Sequence, residues 1–115
     1  MNADEAMRQI ESQLAHVWMV RTFLKHSDEA VEDEELQGIY RGLYDFQLAV
    51  GPAWSEQDAA KYLKLARKKF SKLRATSDQF AEIQPEVSSH TNFQMARASL
   101  TAAVAEIGGI LKSAE

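Results

Sequence analysis

Apolar residues recur along most of this chain at alternating spacings of three and four, the signature of helices that bury one face. In the first segment Met7, Ile10, Leu14, Val17, Arg21 and Leu24 fall on one line, so a guanidinium occupies an apolar stripe. Met19, Val20 and Phe23 cluster on another side of the same segment, beside His16. The stretch His16–Lys25 is thus apolar on two faces, and the second face needs a neighbour of its own. The second segment carries Leu36, Ile39, Leu43, Phe46 and Val50, widened by Tyr40 and Tyr44. The third carries Ala59, Leu63, Ala66, Phe70, Leu73, Ser77 and Phe80; the fourth carries Phe93, Ala96, Leu100, Val104, Ile107 and Leu111.

Capping and breaking residues place the boundaries at about 3–26, 32–50, 55–83 and 88–112. Asn2 is a candidate cap, with Asp4 and Glu5 near the positive end of the first helix dipole and Lys25 and His26 near its other end. The acidic run Asp28–Glu35 reads as a connection plus the first turn of the second helix. Gly51-Pro52 predicts the stop of that helix, Ser55 the cap of the next with Trp54 stapled to Ala59, and Gln84-Pro85 a second break. Gly38, Gly42 and Ala49 share the far side of the second helix, where another backbone could approach closely, and Gly108-Gly109 should loosen the last turns of the fourth. With strand-like alternation missing, the pattern predicts an all-α fold, an antiparallel up-and-down four-helix bundle. Pro85 and the polar stretch Ser88–Asn92 favour a true turn between the last two helices over one kinked helix.

A length of 115 residues suits one domain with a core that needs no metal or cross-link. The absence of cysteine excludes a disulfide scaffold, thiolate metal sites and thiol nucleophiles, and fits a reducing compartment. No run approaches the roughly 20 apolar residues of a membrane span, and the start MNADEAMRQI lacks the form of a secretion signal, so a cytoplasmic protein is expected. A net charge of -4 argues against a dedicated nucleic-acid binder.

Arg21 has three fates on its stripe: it reaches solvent at the bundle end, pairs with a carboxylate such as Asp45, Glu82 or Glu106, or binds a ligand anion. The helix-three run KYLKLARKKFSKLR holds seven basic and no acidic residues, and Lys61, Lys64, Lys68 and Lys72 share its outer face. Such a row could follow a phosphate backbone or an anionic surface, or remain a solvated face that pairs loosely with segment 28–35 of its own or another chain. Glu86 and His90 stand four apart, the spacing of two ligands on one helix face, but no Glu-x-x-His motif of a carboxylate-bridged di-metal bundle is present. No metal or other cofactor is expected, and His90 reads as a surface or helix-start residue. No Ser-His-Asp order, phosphate-binding glycine loop or dinucleotide fingerprint appears.

His16 lies off the core stripe on a predicted four-helix bundle, and with the preceding Ala15 it is similar to the histidine phosphotransfer domains. The resemblance covers the length, the class and those two residues, and implies a phosphoryl-accepting role for His16. In that family a lysine and then a glycine follow the histidine at the third and fourth positions, where this chain has Met19 and Val20. The leading expectation is a non-catalytic bundle that acts by contact with protein, itself or another, with Met19, Val20, Phe23 and His16 as the interface. Phosphotransfer through His16 and anion binding through helix three or Arg21 stand as the alternatives.

Overall fold

The computed structural model describes residues 1–114. Its elements are α1 (Ala3–Lys25), a 3-10 turn (Asp28–Ala30), α2 (Glu34–Ser55), α3 (Ala59–Val87) and α4 (Thr91–Ser113). Short connections reverse the chain between helices, and each packs on the next, with α1 closing on α4 and touching α3 across the diagonal. This is the predicted antiparallel four-helix bundle, measuring 41 × 22 × 19 Å.

The stripes supply the core. Met7, Ile10, Leu14, Val17 and Leu24 of α1 meet Leu36, Ile39, Leu43, Phe46 and Val50 of α2, Leu63, Leu73 and Phe80 of α3, and Phe93, Leu100 and Ile107 of α4. The first three helix starts are fixed by side-chain oxygens: Asn2 Oδ1 accepts the Glu5 N–H at 2.9 Å, Asp33 Oδ1 that of Leu36 at 3.0 Å, and Asp58 Oδ1 that of Lys61 at 3.0 Å. The acidic run divides as expected between a connection and the first turn of α2, where Glu34 and Glu35 face the positive end of the dipole. Gln37 holds the connection down by donating from Nε2 to the carbonyls of Ala30 (2.8 Å) and Val31 (3.2 Å).

Both proline breaks are corrected. Pro52 lies inside α2, which continues for another turn because Ala53 is buried and Trp54 packs against the core. The stop falls at Gln57, whose φ of 55° supplies the left-handed residue without a glycine. Its N–H donates to Trp54 O and that of Asp58 to Ala53 O, the paired bonds of a Schellman ending, and Asp58, not Ser55, then caps α3. Pro85 likewise lies within α3, which runs on to Val87 because Gln84 is buried and Val87 packs against the core. Gln84 Nε2 donates to Ser88 O at 2.8 Å and ties off that end. The last helix begins at Thr91, three residues after the start near 88 that the sequence predicts.

Phe70 also departs from its expected place in the central stripe of α3. It is only partly buried and leans on α4 at Gly108, where an added Cβ would stand 2.8 Å from Phe70 Cζ. The glycine makes a recess for the ring. The helix runs through Gly108-Gly109 to Ser113, and Arg67 Nη2 donates to the carbonyls of Leu111 (3.3 Å) and Ala114 (3.2 Å). Of the α2 glycines only Gly42 is approached closely, and by a side chain rather than a backbone: an added Cβ would stand 2.8 Å from Thr76 Oγ1 of α3, whereas one at Gly38 would meet nothing within 4 Å. That contact lies within the bundle.

Candidate interaction face

The exposed edge of the α1/α4 seam is an open groove of about 330 Å³ lined by Met19, Val20 and Phe23 of α1 and by Asn92, Met95, Ala96 and Ser99 of α4. Its floor belongs to the core: Val20 is 4% exposed, and Phe23 packs edge-on to Phe93 with ring centroids 5.0 Å apart. Its rim does not. Met19 is 66% exposed and Met95 59%, two thioether side chains in solvent on adjacent helices. His16 is exposed one turn before Met19, on the same side of α1. The structure thus brings together Met19, Val20 and Phe23 and adds Met95, which the sequence pattern of α4 hides among alanines and serines.

The face carries no charge over several turns. Between Ser12 and Phe23 the only charged residue of α1 is Arg21, and between Thr91 and Ala105 the only one of α4 is Arg97. Arg21 turns to α2 and Arg97 approaches Gln84 of α3, so neither enters the groove. Exposed apolar side chains elsewhere stand beside charges: Val31 (72% exposed) adjoins the acidic run Glu32–Glu35, and Leu48 (54%) shares a groove with Asp45, Lys69 and Lys72.

Arg21 finds none of its expected partners. Its guanidinium lies 4.7 Å from the ring centroid of Trp18, one turn away, and 4.8 Å from that of Tyr44 on α2. Two aromatic faces therefore receive the cation, which explains how an arginine sits on the core stripe without a carboxylate. Its Nε is buried without a hydrogen-bond partner.

The basic residues of α3 go to separate tasks. Arg67 reaches the end of α4, Arg74 stacks 5.8 Å from the centroid of Phe70, and Lys61 forms an exposed ion pair with Glu56 at 3.4 Å. Lys69 and Lys72 border a groove against α2 with Asp45, while Lys64 and Lys68 point to solvent. Among the described residues no ion pair joins this row to segment 28–35. His90 caps α4, its Nδ1 accepting the Asn92 N–H at 3.0 Å, while Glu86 belongs to the end of α3. Among the described residues no group of three or more His, Cys, Asp or Glu could hold a metal ion. No helix among them is long and apolar enough to cross a membrane.

One polar pair escaped the sequence pattern. The phenol of Tyr62, fully buried in α3, donates a hydrogen bond to the carboxylate of Glu11 in α1, across the diagonal of the bundle. Burial raises the Glu11 carboxyl above its ordinary range, with the Tyr62 bond pulling the other way. Burial, then the bond and charge of Glu11, push the Tyr62 phenol up. No family model, curated protein or solved structure matches the chain.

Proposed function

We propose that this chain is a non-catalytic helical bundle that acts by protein–protein contact, as a homo-oligomer or an adaptor, through the α1/α4 face. The carrying observation is the pair Met19 and Met95, 66% and 59% exposed, flanking a groove whose floor is continuous with the core. Contiguous apolar surface costs free energy in water, and covering it recovers about 25 cal/mol per Å². Unbranched methionine side chains adapt to a partner at small cost, which suits them to a contact surface. The charge-free flanks remove the desolvation penalty that would oppose such a contact.

A photo-crosslinking residue placed at position 19 or 95 tests this reading in intact cells, with position 64 on the exposed face of α3 as the reference. The expected result is a covalent protein adduct from positions 19 and 95 well above that from 64. Equal yields from all three positions would overturn it.

A further inference from the structure

The occupant of this face can be argued from its two ends, resting on the proposal that it is a contact surface. Arg8 lies eleven residues before Met19 and Glu106 eleven residues after Met95. Eleven residues make about three helical turns, so each charge falls on the line of its methionine, displaced by roughly 16 Å. Because α1 and α4 run antiparallel, both displacements point to the same end of the bundle. Both residues are exposed, and among the described residues neither belongs to an ion pair. The face is therefore charge-free until this end, where Arg8 stands on α1, with Glu5 one turn beyond it, and Glu106 stands on α4.

We propose that it is covered by the same face of a second copy, in an isologous dimer whose twofold axis runs along the bundle. Such an axis lays α1 of one chain on α4 of the other and keeps the two Arg8/Glu106 ends together. Met19 then faces Met95 of the second copy, and Arg8 faces Glu106 of the second copy, twice by symmetry. A twofold axis across the helices would instead lay α1 on α1, setting Arg8 over the apolar stretch near Phe23 and leaving both charges without a counterpart. Charge complementarity selects the first arrangement. The envelope fits as well: the long side of a 41 × 22 × 19 Å bundle is comparable to the about 800 Å² that each partner contributes to a standard interface.

Sedimentation of the whole chain across a range from low to several hundred micromolar, in wild type and charge variants, tests the arrangement. The chain should pass with concentration from its 12.9 kDa monomer toward twice that mass. Arg8→Glu or Glu106→Arg alone should weaken dimerisation about tenfold, since two symmetric attractions become repulsions, and the double variant Arg8→Glu/Glu106→Arg should restore it. A far-UV spectrum and thermal midpoint measured beside each variant report whether the fold itself has changed. A monomer at every concentration overturns the dimer, and a double variant no tighter than either single one overturns the arrangement that pairs Arg8 with Glu106. If a monomeric chain still crosslinks from positions 19 and 95 to a different protein, the face remains a contact surface. If it yields no adduct, both readings fall.

Discussion

Replacing Tyr62 by phenylalanine should lower the unfolding free energy by about 2 kcal/mol, because it removes a charge-assisted bond and leaves a half-buried carboxylate unpaired. For a chain of 115 residues that corresponds to a fall of roughly 8 °C in the thermal midpoint. The pair also sets a pH dependence whose sign comes from Glu11. Its carboxyl is raised in the folded state, so the folded chain holds that proton more tightly than the unfolded one. This contribution is present at low pH and is lost as pH rises from the ordinary carboxylate range through the raised value. Glu11→Gln keeps an acceptor for the phenol and carries no charge, so wild type should lose stability relative to this variant as pH rises above the ordinary carboxylate range. Tyr62, whose phenol is raised above its ordinary value near 10, adds a second loss once the pH exceeds that value. Urea denaturation at several pH values checks both; a constant difference between wild type and Glu11→Gln would remove the role given to the carboxylate.

The second large effect divides the α1/α4 face into the part the fold needs and the part left for a partner. Phe23→Asp should cost about 3 kcal/mol, from a lost half-buried ring, its edge-on contact with Phe93 and a carboxylate placed at the core margin. Met19→Asp, at a position 66% exposed, should change monomer stability by less than about 0.5 kcal/mol. Denaturant midpoints measured at low concentration, where association is minimal, make the comparison. Equal losses at the two positions would mean that Met19 is core and that the rim of the groove is not free surface.

How far the sequence reaches can be seen helix by helix. The aliphatic and phenylalanine positions of the α1, α2 and α4 stripes are local patterns and are buried as their spacing predicts, because one amphipathic face per helix is enough to build a bundle, whereas Tyr44 at the edge of the α2 stripe stays 37% exposed. The Asn2 cap is local too. Pro52 and Pro85 mislead when a breaker is weighted above the residues beyond it: Ala53 and Val87 continue the apolar period, and packing them offsets the missing N–H. Gln57 in a left-handed conformation has no residue-type signal of the kind glycine gives.

Long-range placements were hidden for a different reason. Trp18 is one turn from Arg21 and could have been paired with it, but Tyr44 approaches only once α1 and α2 are docked. Phe70 keeps the α3 period in sequence and is drawn off it by a recess that Gly108 makes on another helix. Glu11 and Tyr62 are separated by 51 positions, and each looks like an ordinary stripe-edge residue until the diagonal helices meet. In the candidate face, Met19, Val20 and Phe23 are visible as a second apolar side of α1, whereas Met95 gains meaning from its neighbour across the seam.

The chain's own methionines offer the most direct test of the claim that the α1/α4 face is a working contact. Met19 and Met95 are 66% and 59% exposed in the free bundle, Met1 is 40% exposed and Met7 1%. A brief peroxide pulse oxidises accessible thioethers, and peptide mass spectrometry reads each position. In dilute purified protein Met19 and Met95 should oxidise faster than Met1, with Met7 protected. In intact cells, with the face covered, they should fall behind Met1. If they keep their lead over Met1 in cells, the face is bare where the protein works, and its role as a contact surface is contradicted.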